Sequence, residues 1–240
     1  MPPMNRDIFL ADAHLLHPRD INYQRLLAFL GEQQGRLRTL YILGDLFEFW
    51  VGYRHMVFAP YVPLLNALGE LRAGGTNIVY VEGNHDFHLG PYFHETLGCR
   101  VLPDGGDVEI DGRKVHLTHG DLVNSADRGY RLLRRFLRSR VLKGLIALAP
   151  GDLTWSISRW ASRQSQKGHA PKNNRRLPEA CIDAYARQRL AAGNDIVITG
   201  HFHQPFTRRI DRGQVFGLGD WIEQYSYLVY EDGCFELKTY

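Results

Sequence analysis

Cysteine is scarce in this chain: three residues in 240, Cys99, Cys181 and Cys234, widely spaced and odd in number. They form no CxxC pair, which leaves ordinary thiols in a reducing compartment. Long apolar runs are missing as well, and nothing approaches the roughly 20 residues that span a bilayer. The opening stretch MPPMNRDIFLADAHL lacks a basic segment followed by an apolar run, so no secretory signal is expected. There is no internal repeat and no low-complexity tract. These absences together point to the cytosol. The net charge of +3 is too small to argue for nucleic acid. Arginine and lysine crowd residues 128–176, but mixed with apolar residues instead of forming an open basic stripe with aromatic stacking platforms. No nucleic-acid partner is therefore expected.

What is present is the composition of an ordinary globular protein, 44% hydrophobic and 23% charged. The length suits one domain, 1–240, with a sizeable insertion. Three strand-then-helix units open the chain. Residues 7–11, 39–43 and 77–81 read as buried strands, and Tyr23, Leu26, Leu27 and Leu30, then Tyr61, Leu64, Leu65, Leu68 and Leu71, recur at helical spacing. That alternation predicts parallel strands covered by helices. A short helix is expected near residues 91–97. From Asp107 the pattern changes to hairpins, with turns at Asp111-Gly112 and Asp232-Gly233. DIVITGHFH is a further strand ending in polar residues. Between these, residues from about 128 to 192 read as a helical insertion.

Five segments that follow predicted strands carry metal-type donors: Asp12-Ala-His14, Gly44-Asp45, Gly83-Asn84-His85-Asp86, His119-Gly120-Asp121 and Gly200-His201-Phe202-His203. Singly they are weak, since an Asp after a Gly is often a turn and a lone His is more often surface or satisfied core. Together they are strong. Strand ends converging on one sheet edge would gather carboxylate, imidazole and amide groups that need cations to neutralise them. Oxygen and nitrogen donors without a thiolate suit Mn²⁺, Fe²⁺ or Zn²⁺. Their number is too large for one tetrahedral site and sufficient for two ions sharing a carboxylate, about 3.5–4 Å apart, that acidify a water and hold a phosphoryl oxygen. The other histidines, His17, His55, His88, His94, His116 and His169, receive no metal role.

D-x-H, G-D, G-N-H-D, H-G-D and G-H-x-H in this order resemble the signature of the calcineurin-like metallophosphoesterases, over nearly the whole chain. The resemblance implies an α/β fold, a four-layer α/β/β/α sandwich, and two divalent ions per chain. By motif, Asp12, His14 and His203 would hold one ion, Asn84, His119 and His201 the other, and Asp45 would bridge them. His85 would face the phosphate, oriented by Asp86.

YILGDLFEFWVG, GNHDFHLG and HGDLVNSADRGYRLLR are similar to a narrower branch, the UDP-2,3-diacylglucosamine hydrolases of lipid A biosynthesis. That resemblance implies a Mn²⁺-type enzyme that cleaves a lipid-linked nucleotide-sugar pyrophosphate to UMP and a diacylated sugar 1-phosphate. Substrate contacts would come from Asn84, His85, Asp127 and Tyr130, and from Ser165 and Lys172 in the helical cap. Many members of the branch carry Arg where this chain has His85. A cation suffices when a phosphate monoester leaves, whereas His retains general acid catalysis for poorer leaving groups. The alternatives are another nucleotide diphosphate or phosphoester as substrate, or a non-enzymatic scaffold, which a full ligand set argues against. In the cap, Leu133, Phe136, Leu137 and Val141 fall on one helical face, with Arg134, Arg135 and Arg138 largely elsewhere. Such a surface would hold acyl chains, and its basic flanks would suit lipid headgroups during transient docking on the inner membrane.

Overall fold

The computed structural model describes residues 5–167 and 176–240. β1 (Arg6–Leu10), β2 (Leu37–Ile42) and β3 (Asn77–Val81) are parallel neighbours, as their apolar, β-branched sequences predict. β4 (Arg100–Leu102) extends them in parallel, and β10 (Ser226–Glu231) and β11 (Cys234–Thr239) complete a six-stranded sheet in the order β11-β10-β1-β2-β3-β4. The second sheet has five strands, in the order β5-β6-β7-β9-β8. They are β5 (Gly106–Ile110), β6 (Arg113–Thr118), β7 (Ile196–Thr199), β8 (Phe206–Ile210) and β9 (Gly213–Gly217).

Both expected hairpins form. Asp111-Gly112 and Asp232-Gly233 each hold two consecutive positive φ angles, 48° and 79° in the first and 50° and 81° in the second. This is the turn geometry that matches strand twist and favours Asp-Gly. A third hairpin, β8–β9, turns at Asp211 without a glycine and carries no comparable signal in the sequence.

Layering follows from which faces are apolar. The inner faces of the sheets meet through Phe9, Tyr41, Val79 and Val81 on one side and Val108, Val115, Leu117, Ile198 and Phe216 on the other. The outer face of the first sheet, with Ile8, Leu40, Ile78 and Tyr80, packs beneath α1 (Ile21–Glu32) and α2 (Val62–Ala73), which present Tyr23, Leu26, Leu64 and Leu68. Ala186 of α6 (Glu179–Ala191) packs with Val197, Ile210 and Val215 on the outer face of the second sheet, with Ile182 buried beside it on the same helix. The result is the four-layer α/β/β/α sandwich. The final helix of the insertion expected over 128–192 is thus a layer of the sandwich. α3 (Arg128–Leu137), α4 (Arg140–Leu148) and α5 (Gly151–Lys167) form the cap. The short helix expected after the third strand is a single wide π-type turn, Tyr92–Thr96.

Candidate metal centre

The parallel strands β1, β2, β3, β6 and β7 all deliver their carboxyl ends to one edge of the sandwich, where open α/β sheets place their chemistry. All seven expected ligands arrive there on the loops that follow. Five of them adopt left-handed backbone conformations: Asp12 (φ 54°), His14 (45°), Asp45 (52°), His201 (73°) and His203 (54°). Non-glycine residues seldom hold such angles, and their clustering marks backbone bent to aim side chains at one point. The glycines before the ligands are required by close approach. A Cβ on Gly83 would lie 2.2 Å from Asp45 Oδ1, and one on Gly44 would lie 2.7 Å from both Gly83 Cα and His119 Nδ1.

Three groups of donors have their atoms within 4.8 Å of one another, Asp12–His14–His203, Asp45–His119–His201 and His14–Glu48–His85, the last sharing His14 with the first. The first two could each hold a cation. They meet at one oxygen. Asp45 Oδ2 lies 3.6 Å from His14 Nε2 and 3.5 Å from His119 Nε2. His203 Nε2 is 3.2 Å from Asp12 Oδ1, while Asn84 Oδ1 sits 3.0 Å from His119 Nε2 and 3.1 Å from His201 Nδ1. The donor set, two carboxylates, four imidazoles and one amide, fits two borderline-to-hard divalent ions sharing Asp45.

Surrounding oxygens fix the tautomers. A carbonyl can only accept, so His119 Nδ1–H donates to Leu43 O (2.8 Å) and turns Nε2 toward the cluster. Glu48 Oε2 lies 3.3 Å from His14 Nδ1, and Asp220 Oδ2 lies 3.7 Å from His203 Nδ1. Such outer carboxylates orient ligand imidazoles. Neither Glu48 nor Asp220 was expected. Gly219-Asp220 after β9 repeats the Gly-Asp pattern seen after β2, which is the signal that could have found it.

Electrostatics follow from the burial of these charges. Burial by itself would raise the Asp45 carboxyl, but the imidazoles of His119, His85 and His14 outweigh it and hold the pKa well below the carboxylate range. Burial would likewise lower His119, yet the Asp45 carboxylate beside it raises its pKa to about 10. Without a metal, His119 therefore keeps its Nε2 proton at pH 7, and a cation bound there must displace it. Loading the site at pH 7 should release about one proton from this residue, and affinity should fall about tenfold for each pH unit lowered. Calorimetry in buffers of different ionisation enthalpy measures the proton. Loading without release would contradict the assignment of His119 as a ligand.

His85 lies beside the cluster, its ring 4.6 Å from that of His14. The expected orientation of His85 by Asp86 is not what the structure shows. His85 Nδ1–H donates to Glu48 O (2.9 Å), and its backbone N–H donates to Asp45 Oδ1 (2.9 Å). Asp86 is fully buried and accepts from the backbone N–H groups of Asp45, Leu46 and Gly83 at 2.9, 2.7 and 2.9 Å, and from Tyr80 Oη–H at 2.6 Å. It fastens the Asp45 loop to the Asn84 loop. Burial, with the charge of Asp45 acting in the same direction, pushes its pKa up to about 7.

The expected cap contacts divide. Tyr130 donates through its hydroxyl to Asp121 Oδ2 (2.6 Å), two residues past the candidate ligand His119. Asp127 caps α3 by accepting from Tyr130 N–H (2.9 Å). Lys172 lies outside the described residues, and Ser165 outside those whose side chains are described. Arg134 and Arg138 do not flank the apolar face as free cations. Arg134 binds the buried Asp121 Oδ2 and the exposed Asp104 Oδ1, and Arg138 binds the buried Glu82 Oε2.

Residues 8–205 match the family of calcineurin-like phosphoesterases. Among curated proteins, the UDP-2,3-diacylglucosamine hydrolase of Aeromonas salmonicida is 33% identical over 238 residues, covering 94% of this chain and 90% of that protein. The protein of the same name from Pseudomonas syringae pv. syringae is 30% identical, covering 97% and 95%. Among solved structures, a novel archaeal phosphodiesterase superposes with a TM-score of 0.53 at 15% identity, covering 98% of this chain and 99% of that one, a likeness of fold alone. With the ordered donors on five strand ends and a match over most of its length, the chain is a member of the calcineurin-like phosphoesterase family.

Proposed function

We propose that this protein hydrolyses the pyrophosphate bond of UDP-2,3-diacylglucosamine, giving UMP and 2,3-diacylglucosamine 1-phosphate, with two divalent ions, Mn²⁺ by preference, held at the shared Asp45. The observation that carries this reading is the coexistence of the Asp45-centred donor set with an apolar cap beside it. Bound ions would supply an acidified water and Lewis acidity toward a phosphoryl oxygen. The chain's own residues do the rest. Asp12, His14 and His203 hold one position and Asn84, His119 and His201 the other, while Asp45 sets their spacing. His85, with Nδ1–H committed to Glu48 O, presents Nε2 to the phosphate. Water adds to phosphorus as the bridging P–O bond breaks, and the departing phosphate monoester is already a good leaving group. His85→Arg should therefore retain turnover of a nucleotide-sugar pyrophosphate, yet slow esters with poor leaving groups more than activated aryl phosphates. Equal, negligible effects of His85→Ala on all substrates would remove it from the reaction.

The cap supports the lipid part of the reading. Leu132, Val141, Leu148 and Trp160 are 71%, 74%, 86% and 64% exposed, with Leu133, Phe136, Leu145 and Ile157 also open to solvent. An apolar surface of this extent marks a binding site for lipid or protein. Among the described residues no helix is long and apolar enough to cross a membrane. We place the cap against the acyl chains and, transiently, the cytoplasmic face of the inner membrane, with Asp127 and Tyr130 at its substrate side. Each buried methylene gains about 0.8 kcal/mol, so the diacylated substrate should be hydrolysed with kcat/KM at least about 10²-fold above the deacylated UDP-sugar. Equal efficiency on both, without detergent or lipid dependence, would make a soluble nucleotide pyrophosphatase the better description.

A further inference from the structure

Three polar residues of the cap, Tyr130 and Arg134 of α3 and Arg138 at its C-terminal cap, recur every four residues and so lie on one face. The opposite face carries the exposed Leu132, Leu133 and Phe136. The polar face is tied to two loops. Tyr130 Oη and Arg134 Nε both donate to Asp121 Oδ2, at 2.6 and 2.8 Å, just past His119. Arg138 donates from Nη1 to Glu82 Oε2 (2.9 Å) and from Nη2 to Gly83 O (2.9 Å), just before Asn84. Glu82 in turn accepts from Leu89 N–H (3.0 Å), closing the far end of the loop that carries Asn84 and His85. Glu82 and Asp121 are nearly inaccessible, with side chains 7% and 4% exposed. Ion pairs this shielded cost far more to break than surface pairs.

The two tethered loops have one thing in common: they present Asn84 and His119, which belong to the same metal position. The loops bearing Asp12, His14 and His203 receive no tether from α3 among the described residues. We propose that α3 is a strut, with Tyr130, Arg134 and Arg138 as positioning residues that set the geometry of the Asn84–His119 position and leave the Asp12–His14–His203 position alone. Because the apolar face of the same helix is the cap surface, occupancy of the cap and of that one metal position strengthen each other, as linkage requires. This rests on the two-ion reading above, and it is independent of which nucleotide sugar is the substrate.

The test is Mn²⁺ binding by equilibrium dialysis, on metal-free wild type, Arg138→Met and Arg135→Met, an exposed arginine of the same helix. The wild type should bind two ions per chain. Arg138→Met should weaken one of the two by about tenfold or more, the range for residues that orient metal ligands, and leave the other unchanged. Arg135→Met should match the wild type. Dodecyl maltoside, as an apolar probe of the cap, should tighten the affected ion in the wild type and not in Arg138→Met. Should Arg138→Met fail to fold, Arg138→Lys makes the same comparison, since it keeps the charge and loses the reach to both Glu82 and Gly83. Equal weakening of both ions, no weakening, or no detergent effect in the wild type would overturn the strut alone. Fewer than two ions in the wild type would overturn the two-ion reading and the strut with it.

Discussion

Asp45→Ala should leave a protein that binds at most one ion per chain and has lost nearly all turnover. The carboxylate is fully buried, and one of its oxygens faces His14 and His119 at nearly equal distance, 3.6 and 3.5 Å. Its second oxygen accepts the His85 N–H, so the phosphate-facing loop loses an anchor in the same stroke. Removing one preorganised electrostatic partner costs about 10²–10³-fold, and here a ligand common to both positions goes, so kcat/KM should drop by at least about 10³-fold. His119 would also lose the charge that holds its proton, and its pKa should fall from about 10 toward the lowered value that burial favours. Elemental analysis, steady-state kinetics and imidazole NMR read the three effects separately. Two ions retained with ordinary turnover would refute the shared-ligand assignment.

Asp86→Asn should be the most destabilising conservative change in this region. All four groups that reach Asp86 within 3.0 Å are donors: three backbone N–H groups and the Tyr80 hydroxyl. An ionised carboxylate can accept from all of them, whereas an amide must point its NH₂ at two. In chelator-treated protein the substitution should cost about 2–4 kcal/mol and lower Tm by roughly 5–15 °C. The cost should be less above pH 8, because a carboxyl whose pKa burial has raised to about 7 is ionised there at a desolvation cost that the amide does not carry. Tyr80→Phe, which deletes a single donor, should cost about 1 kcal/mol. Had Asp86 served to orient His85, Asp86→Asn would alter turnover and leave the stability of the metal-free protein nearly unchanged. Denaturant titration of the two variants decides between these roles.

The amino-acid sequence by itself determined much of this protein, wherever the cause is local. Strands that end in Gly-Asp or Gly-Asn-His are legible because a buried apolar run must stop where polar donors begin. The two Asp-Gly hairpins are legible because that dipeptide adopts the required positive φ angles at little cost. The order of the five donor segments was enough to place the seven expected donors at one edge, since parallel strands share a carboxyl end. Tertiary structure decided which oxygen fixes which imidazole. Asp86 follows His85 directly, yet it bonds to Asp45 and Leu46, 41 and 40 residues away, because the loop after β2 brings their backbone N–H groups to its buried carboxylate. Arg134 and Arg138 look like solvated cap cations until the chain brings Asp121, Asp104 and Glu82 beneath them. α6 resembles the cap helices in composition and is assigned to the outer layer only by its packing on Val197 and Val215. The β8–β9 hairpin, turning at Asp211 without a glycine, is held by its pairing with β7 and leaves no local mark. In each case the deciding partner is distant in sequence and is selected by burial, which no local pattern encodes.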